Sequence, residues 1–521
     1  MTAVATALAA AALAAGTPLH TASYAAPPAL GTGPYTLVQV ARGVPKAAGA
    51  RLVSRDLGIW RIPRRSAAAA VDRLRAAGAL TAVEPDQRAV SFSHLSQGDP
   101  LIPQEWWLHD VGADVAEPPG PGVPVTVVDT GLDLTHPEFA QRPNTIALNQ
   151  QRVFGREDVH GTAVSSVAAA PSNGIGLVGA YPEATLQEWD FGEGLLSDAI
   201  GGLDAASRRG RTVINFSAGF FRFSPMLEQA VDRVVQRGSI VVAAAGNDRE
   251  NNSRPAIPAV LPHVLTVGAT NEQDRVTYFS SRSNAMDLAA PGQDIPVGVP
   301  TFYNPSGFDL FDGTSFSAPI VAGATAWVWT ARPQLKNGQI ADVMRESARD
   351  VGHRGWDSDT GFGIVDVPTA LAAAAPPVDP QEPNDDVFAV RPGGLTGAGH
   401  TPITQPGVPH AVLRATMDAS EDPEDLYRVW LPAHRSIVVT AAGHANVDLA
   451  VWGPRTRTVF ERGRALRRDL LGLSERAGTR ADSVTVHSTS ARGRYAYVDV
   501  FLGQHVARTT YSLSVSTRAR R

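Results

Sequence analysis

The chain of 521 residues is 43% hydrophobic and 19% charged, and it contains no cysteine. This composition predicts about two to four folded domains, and it excludes extensive disorder, disulfide bonds and thiolate chemistry. Lys and Arg number 46 against 51 Asp and Glu, a net charge of −5. That balance argues against a nucleic-acid-binding protein, which usually carries a basic excess.

The N-terminal segment has the pattern of a secretory signal. Residues 3–15 are Ala, Val and Leu apart from Thr6, and small residues follow around Ala25. Such a run is too short to cross a bilayer, which needs about 20 apolar residues. We therefore expect residues 1–25 to be a signal peptide and the protein to be secreted and extracellular, without a transmembrane segment. An Ala-rich disordered N-terminus is the alternative, because no Lys or Arg precedes Arg42.

Residues 35–95 read as a small α+β unit. Alternating or β-rich stretches predict strands at 35–40, 57–63 and 80–84. Between the last two, Ser66 is expected to cap a helix over 67–77 that stops at Gly78.

Residues 100–373 alternate short apolar strands with helical stretches. Continuous Val- and Ile-rich strands separated by helices predict an α/β domain with a parallel sheet covered on both faces. The predicted strands are 125–128, 185–189, 213–216, 240–245 and 264–267, and the predicted helices are about 160–170, 196–208, 225–236 and 315–330.

The C-terminal third differs in character. Residues 374–387 are rich in Pro, Asp and Asn, a composition typical of a linker. Residues 388–517 then show alternating strands separated by turn residues, which predicts a β-sandwich of about seven or eight strands.

Three residues stand out by their placement within residues 100–373. Asp129 follows a predicted strand in Asp-Thr-Gly, His160 opens a helix in His-Gly-Thr, and Ser315 opens another in Gly-Thr-Ser. Strand carboxyl ends and adjoining helix N-termini line the ligand crevice of an open α/β sheet. Together these residues would supply a nucleophile, a base and an orienting carboxylate. Alone, each would be read as an ordinary turn or cap residue.

A fourth residue, Asn247, follows another buried strand. Its side-chain amide and the Ser315 backbone N–H would donate hydrogen bonds to the oxyanion that forms when a serine attacks a carbonyl. By itself, Asn247 after a glycine is a turn residue.

On these motifs, in this order, the chain resembles the subtilisin-like serine proteases, or subtilases, over about residues 100–373. The resemblance implies a seven-stranded parallel sheet with helices on both faces. It also implies a secreted serine endopeptidase that forms an acyl-enzyme on protein or peptide substrates. The implied residues are the catalytic Asp129, His160 and Ser315, the oxyanion-binding Asn247, and the substrate-binding strand Ser217, Ala218 and Gly219.

The flanking regions add to the resemblance. Residues 35–95 are similar to the family's inhibitory propeptide, and the C-terminal region resembles the pre-peptidase C-terminal domain of secreted bacterial proteases. The resemblance implies a proenzyme whose own propeptide is an intramolecular inhibitor and which cuts itself between about residues 89 and 100. Three positions differ from the family's usual residues: Ala163 replaces His, Phe316 replaces Met and Ala218 replaces Leu. These differences affect the expected shape of the substrate pocket.

The sequence names no required cofactor. Among the 13 His there is no His-Glu-x-x-His, so a zinc protease is not expected. Subtilases often carry structural calcium, but the loop 356–359 is an equally good solvated turn, and the ligands stay open. Two other functions also stay open: a non-catalytic binding protein on the same fold, and an esterase using the same site.

Overall fold

The computed structural model describes residues 35–41, 43, 45, 47–86, 90–91, 94–96, 104–115, 118–155, 158–419, 422–460, 462–503 and 506–518. They form two compact units that divide between Val378 and Asp379. Among the described residues, no helix combines the length and the apolar character needed to cross a membrane. The predicted signal peptide, residues 1–25, lies outside the described residues.

The first unit begins with a four-stranded antiparallel sheet in the order β2-β3-β1-β4, covered by helix α1. The helix buries Ala67, Ala70, Val71 and Leu74, which share one face at helical spacing. It begins at Arg64, directly after Pro63, so the expectation that Ser66 caps it was wrong. The elements are β1 Tyr35–Val40, β2 Arg51–Ser54, β3 Ile59–Pro63, α1 Arg64–Ala76 and β4 Leu80–Pro85.

A seven-stranded, all-parallel sheet in the order β14-β13-β12-β10-β7-β9-β8 forms the centre of this unit. This confirms the predicted α/β fold class. Six of the seven strands are almost wholly buried, which is why their sequences are continuously apolar rather than alternating. The strands are β7 Val125–Asp129, β8 Thr145–Ala147, β9 Leu186–Asp190, β10 Val213–Phe216, β12 Ile240–Ala244, β13 Val264–Thr270 and β14 Leu288–Pro291.

The helices of the unit form packed pairs against this sheet. Helices α3 and α6 pack on each other, and so do α4 and α5. Every residue of α3 is buried, so this helix has no polar face. The helices are α2 Trp106–Asp110, α3 Val159–Ala169, α4 Leu196–Arg208, α5 Pro225–Gln236, α6 Thr314–Ala331, α7 Asn337–Glu346 and α8 Val367–Ala372, with a short 3₁₀ helix at Arg249–Asn251.

Two small antiparallel sheets involve the segment that follows the N-terminal sheet. Strand β5, Val90–Ser91, pairs with β11, Ala218–Gly219. Strand β6, His94–Ser96, pairs with β16, Phe308–Asp312, which also pairs with β15, Ile295–Gly298.

The second unit contains eight strands in two four-stranded antiparallel sheets, in the orders β17-β24-β19-β22 and β18-β23-β20-β21. Apolar residues of both sheets share one buried core, which includes Met417 and Val439 from one sheet and Val429 and Val498 from the other. The elements are α9 Val387–Val390, β17 His410–Asp418, β18 Glu424–Leu431, β19 Ser436–Gly443, β20 Val447–Trp452, α10 Gly463–Asp469, β21 Leu470–Ser474, β22 Asp482–His487, β23 Arg494–Leu502 and β24 Arg508–Arg518.

The segment that composition assigned to a linker is partly folded. Asn384 is fully buried, and its Nδ2 donates to Asp425 Oδ1 at 2.6 Å while its backbone oxygen accepts from Leu426 N. Residues 379–386 therefore fold with the second unit, because their polar side chains bond inside it rather than to water.

Candidate active site

Asp129 and His160 are in direct contact. Asp129 is the last residue of β7, and His160 lies in the first turn of α3. His160 Nδ1 is 2.8 Å from Asp129 Oδ1, and the two residues are 7% and 1% exposed. Because a carboxylate can only accept, Nδ1 carries the proton of this bond. The neutral imidazole then presents a lone pair on Nε2, which is the atom that acts as a base.

The two tripeptides around these residues interlock. Thr130 Oγ1 accepts from Gly161 N at 2.9 Å and donates to Asp158 O at 3.1 Å. Thr162 Oγ1 accepts from Asp133 N at 2.9 Å. These bonds tie the loop after β7 to the start of α3, so the motif residues beside Asp129 and His160 fix the relative position of the pair.

Ser315 is the second residue of α6 and is fully buried. Its hydroxyl donates to Ser217 O at 3.2 Å, and Ser217 Oγ donates to Ser315 O at 2.8 Å. The ring of the next residue, Phe316, lies 5.8 Å from the His160 ring. His160 Nε2 has no hydrogen-bond partner within the described parts of the chain. Through Phe316, the start of α6 thus lies close to the His160 ring.

Asn247 follows β12 and faces the residue before Ser315. Its Oδ1 accepts from both N and Oγ1 of Thr314, each at 3.0 Å. Thr314 Oγ1 also accepts from Gly246 N at 3.2 Å. With Oδ1 fixed against Thr314, the donor Nδ2 lies on the opposite side of the amide, which is the orientation that an oxyanion-binding role requires.

Two short strands that follow the N-terminal sheet pair with segments close to Ser315. Val90 and Ser91 pair with Gly219 and Ala218, directly after Ser217. His94 pairs with Asp312, three residues before Ser315. An extended peptide therefore occupies the edge that the sequence assigned to substrate binding.

Two carboxylates of the N-terminal sheet also dock at the N-termini of helices α4 and α5. Asp86 accepts from Ser197 N and Oγ at 2.7 and 2.6 Å, and Glu84 accepts from Ser224 Oγ at 2.7 Å. Burial raises the pKa of Glu84 to about 8 and the pKa of Asp86 to about 6. The sequence alone indicates no role for either residue, because their partners lie more than 100 positions away.

One acidic group in the second unit has the composition of a cation site. Carboxylate oxygens of Asp379, Glu382 and Asp425 lie within 4.8 Å of one another. Burial, and then the charge of neighbouring carboxylates, raise the pKa of Glu382 and of Asp425 well above the usual range. Carboxylate and amide oxygens are the ligands that calcium prefers. In the earlier candidate loop, by contrast, Asp359 is already paired with Arg249 and Arg282.

Comparison with known proteins identifies the family of the chain. Residues 120–363 match the model of the subtilase family. Subtilisin BL of Lederbergia lenta is 35% identical over 255 residues, which span 48% of this chain and 91% of the relative. The chain belongs to the subtilase family. This confirms the family that the sequence motifs indicated.

Other relatives cover different shares of this subtilase. Alkaline elastase YaB of a Bacillus species is 30% identical over 58% of the chain and 76% of the relative. For subtilisin E of Bacillus subtilis the match is 32% identical but spans 66% of that protein and 48% of this one. The solved structure of fervidolysin from Fervidobacterium pennivorans, a keratinolytic enzyme related to subtilisin, covers 88% of this chain with a TM-score of 0.58 at 20% identity, a likeness of fold.

Proposed function

We propose that this subtilase is a secreted endopeptidase that hydrolyses peptide bonds through Asp129, His160 and Ser315. Ser315 Oγ attacks the peptide carbonyl while His160 Nε2 takes its proton, and Asp129 stabilises the resulting imidazolium. His160 returns the proton to the leaving amine, which leaves an acyl-enzyme ester. Water, activated by His160 in the same way, hydrolyses the ester. The 2.8 Å contact between His160 Nδ1 and Asp129 is the observation that carries the proposal.

The tetrahedral intermediate carries a negative charge on the former carbonyl oxygen. We expect Asn247 Nδ2 and the backbone N–H of Ser315 to donate to it. The two bonds that hold Asn247 Oδ1 against Thr314 support this role, because they leave Nδ2 on the other side of the amide. Donors held in place before the reaction stabilise the transition state without reorganisation at the moment of attack.

Substrate is proposed to bind as an extended strand beside Ser217, Ala218 and Gly219. The support is β5, which pairs with Ala218 and Gly219 in an antiparallel register. Main-chain pairing of this kind accepts extended peptides of many sequences. We therefore propose proteins and peptides as substrates.

Residues 35–95 are proposed to be an inhibitory propeptide that is removed by self-cleavage. Besides the carboxylates at α4 and α5, Arg61 forms a salt bridge with Asp198 at 3.5 Å. Ser91 pairs with Ala218, next to the Ser217 that bonds to Ser315, and His94 pairs with Asp312, three residues before Ser315. We therefore propose that the bond cut lies between Ser91 and His94. The N-terminal sequence of the secreted mature protein tests this, and a mature protein that begins at or before Ser91 or after His94 contradicts it.

Structural calcium is proposed for the second unit, at Asp379, Glu382 and Asp425. The negative charges of these carboxylates repel one another, and a divalent cation removes that repulsion. The buried amide of Asn384, which bonds to Asp425 at 2.6 Å, adds a further oxygen of the right type nearby.

Digestion of casein by the secreted protein, with Ser315→Ala as the control, tests the proposed activity. Wild type is expected to release peptides and the variant is not. Equal behaviour of the two proteins would favour a non-catalytic binding protein. Turnover of an ester without turnover of the matching amide would favour an esterase, since serine proteases cleave both.

A further inference from the structure

A fourth buried carboxyl group, that of Glu188, lies behind the proposed triad and has no role in the steps above. Glu188 is in the middle of β9 and is 1% exposed. It pairs with Val127, two residues before Asp129, in the neighbouring parallel strand. Its Oε1 lies 2.7 Å from the hydroxyl of Ser165, in the helix that His160 opens. Glu188 therefore touches the elements that carry two members of the triad.

The hydrogen bonds around Ser165 indicate that the carboxyl group of Glu188 is protonated. Ser165 Oγ lies 2.7 Å from Gly161 O and 2.7 Å from Glu188 Oε1. Both distances are typical of O–H···O bonds. One hydroxyl proton serves only one of these acceptors fully, so with an ionised Glu188 one contact would bring two lone pairs together. With a protonated Glu188, Ser165 donates to Gly161 and accepts from Glu188, and both contacts are hydrogen bonds.

The charges around Glu188 favour the same state. Burial raises the pKa of Glu188 well above its usual range, and the negative charge of Asp129 adds to that increase, whereas Ser165 and Arg142 act against it. Arg142 is the nearby cation, but its guanidinium donates to backbone oxygens that include Ala169 O and Ala184 O. No ion pair joins it to Glu188 in the described regions, and an unpaired carboxylate is costly to bury.

We propose that Glu188 is a positioning residue that acts as a neutral carboxylic acid, donating its proton to Ser165 and so holding the His160 helix against the Asp129 strand. The inference rests on the proposed function. Neutrality matters because Asp129 must be the anion that stabilises the His160 imidazolium. A second negative charge there would favour the charged imidazolium before the reaction and leave less neutral base at a given pH.

Infrared difference spectra test the protonation without any need for activity. Full-length Ser315→Ala protein is compared at neutral pH with the same protein carrying Glu188→Gln. The expected difference is the loss of one carbonyl stretching band of a protonated carboxylic acid. Loss of a carboxylate band instead would overturn the proposal, and this result does not depend on whether the wild-type protein is a peptidase.

Kinetics on the processed enzyme test the positioning role. Glu188→Ala and Ser165→Ala are each expected to lower kcat/KM, by up to about a hundredfold, because a small displacement of His160 is enough for that loss. The double variant is expected to lose no more than the worse single variant, since both remove one contact. Glu188→Gln, which keeps an N–H donor for Ser165, is expected to recover most of the loss. Losses that multiply fully in the double variant would overturn the proposal.

The acid limb of the kcat/KM profile distinguishes a neutral Glu188 from an ionised one. It reports the ionisation of the essential base in the free enzyme. If Glu188 is neutral, Glu188→Gln exchanges one neutral group for another, and the limb stays within about 0.2 pH units of wild type. An ionised Glu188 predicts that the limb moves to lower pH, because the substitution removes a negative charge near His160, Asp129 and Arg142. That movement would contradict the inference.

Discussion

A Cβ atom on Gly161 would lie 2.3 Å from the carbonyl oxygen of Gly131. The glycine beside His160 therefore packs against the glycine two residues after Asp129, backbone to backbone. Any side chain at position 161 would separate the loop and the helix that hold the Asp129 and His160 side chains 2.8 Å apart.

Gly161→Ala is accordingly expected to destabilise the protein by at least about 1–3 kcal/mol and to abolish most activity, since the obstructing atom is backbone and cannot rotate away. Thermal unfolding and casein digestion measure the two effects. Gly338→Ala is the matched control. Gly338 is also helical, in α7, and nothing lies within 4 Å of its Cβ position, so alanine there should leave activity unchanged and raise stability by up to about 1 kcal/mol. Full activity of Gly161→Ala would contradict this account of the motif.

The oxyanion role proposed for Asn247 predicts that its loss lowers kcat and leaves KM nearly unchanged. Asn247→Leu keeps the size of the side chain and removes its donor. We expect kcat to fall by about 10²–10³, the known effect of removing this kind of donor from a subtilisin, with little change in KM. Thr314→Val removes one of the two bonds that orient the amide and should cause a smaller loss of the same kind. A raised KM with unchanged kcat in either variant would show that the group binds the ground state instead.

Docking of the proposed propeptide should weaken as the pH rises. The pKa of Glu84 rises from 4.5 to about 8 in the folded proenzyme because the carboxyl is buried at the start of α5. A folded-state pKa above the unfolded one means that the folded state binds more protons. The stability that Glu84 contributes is complete below pH 4.5 and is lost as the pH approaches 8.

Thermal unfolding of uncleaved Ser315→Ala proenzyme measures this dependence. Its Tm is expected to fall between pH 5 and pH 8, by about 2–4 °C for each kcal/mol lost. Glu84→Gln should flatten the slope, whereas Asp72→Asn, at an exposed carboxyl of α1, should not. A Tm that rises between pH 5 and pH 8 in the protein with Glu84, but not in Glu84→Gln, would contradict the predicted direction of the effect.

Removal of calcium should destabilise the second unit. A chelator is expected to lower the Tm of the transition that involves this unit, and calcium at about 100 times its Kd should restore about 2.7 kcal/mol. Glu382→Gln is expected to make that transition indifferent to the chelator. Asp357→Asn, in the turn that the sequence also offered, should behave like wild type. If the chelator lowers the Tm of Glu382→Gln as much as that of Asp357→Asn, or lowers neither, calcium does not bind at Glu382.

Local sequence was enough for the parallel sheet and for the placement of Asp129 and His160, because buried strands and helix starts leave short, continuous patterns. It was not enough where the partner is distant in the chain. The start of α1 is set by Pro63 rather than by Ser66. Glu188 reads as one polar residue in a strand until Ser165 is seen beside it. Asn384 reads as linker until Asp425 receives its hydrogen bond.

Labelling of the processed, secreted protein with a serine-directed fluorophosphonate tests the central claim most directly. If Ser315 is the nucleophile, each chain should carry one covalent adduct, which mass spectrometry locates on Ser315. Ser315→Ala should form no adduct, and His160→Ala should form it much more slowly. A correctly processed protein that stays unlabelled, or that is labelled at another serine, would contradict the account.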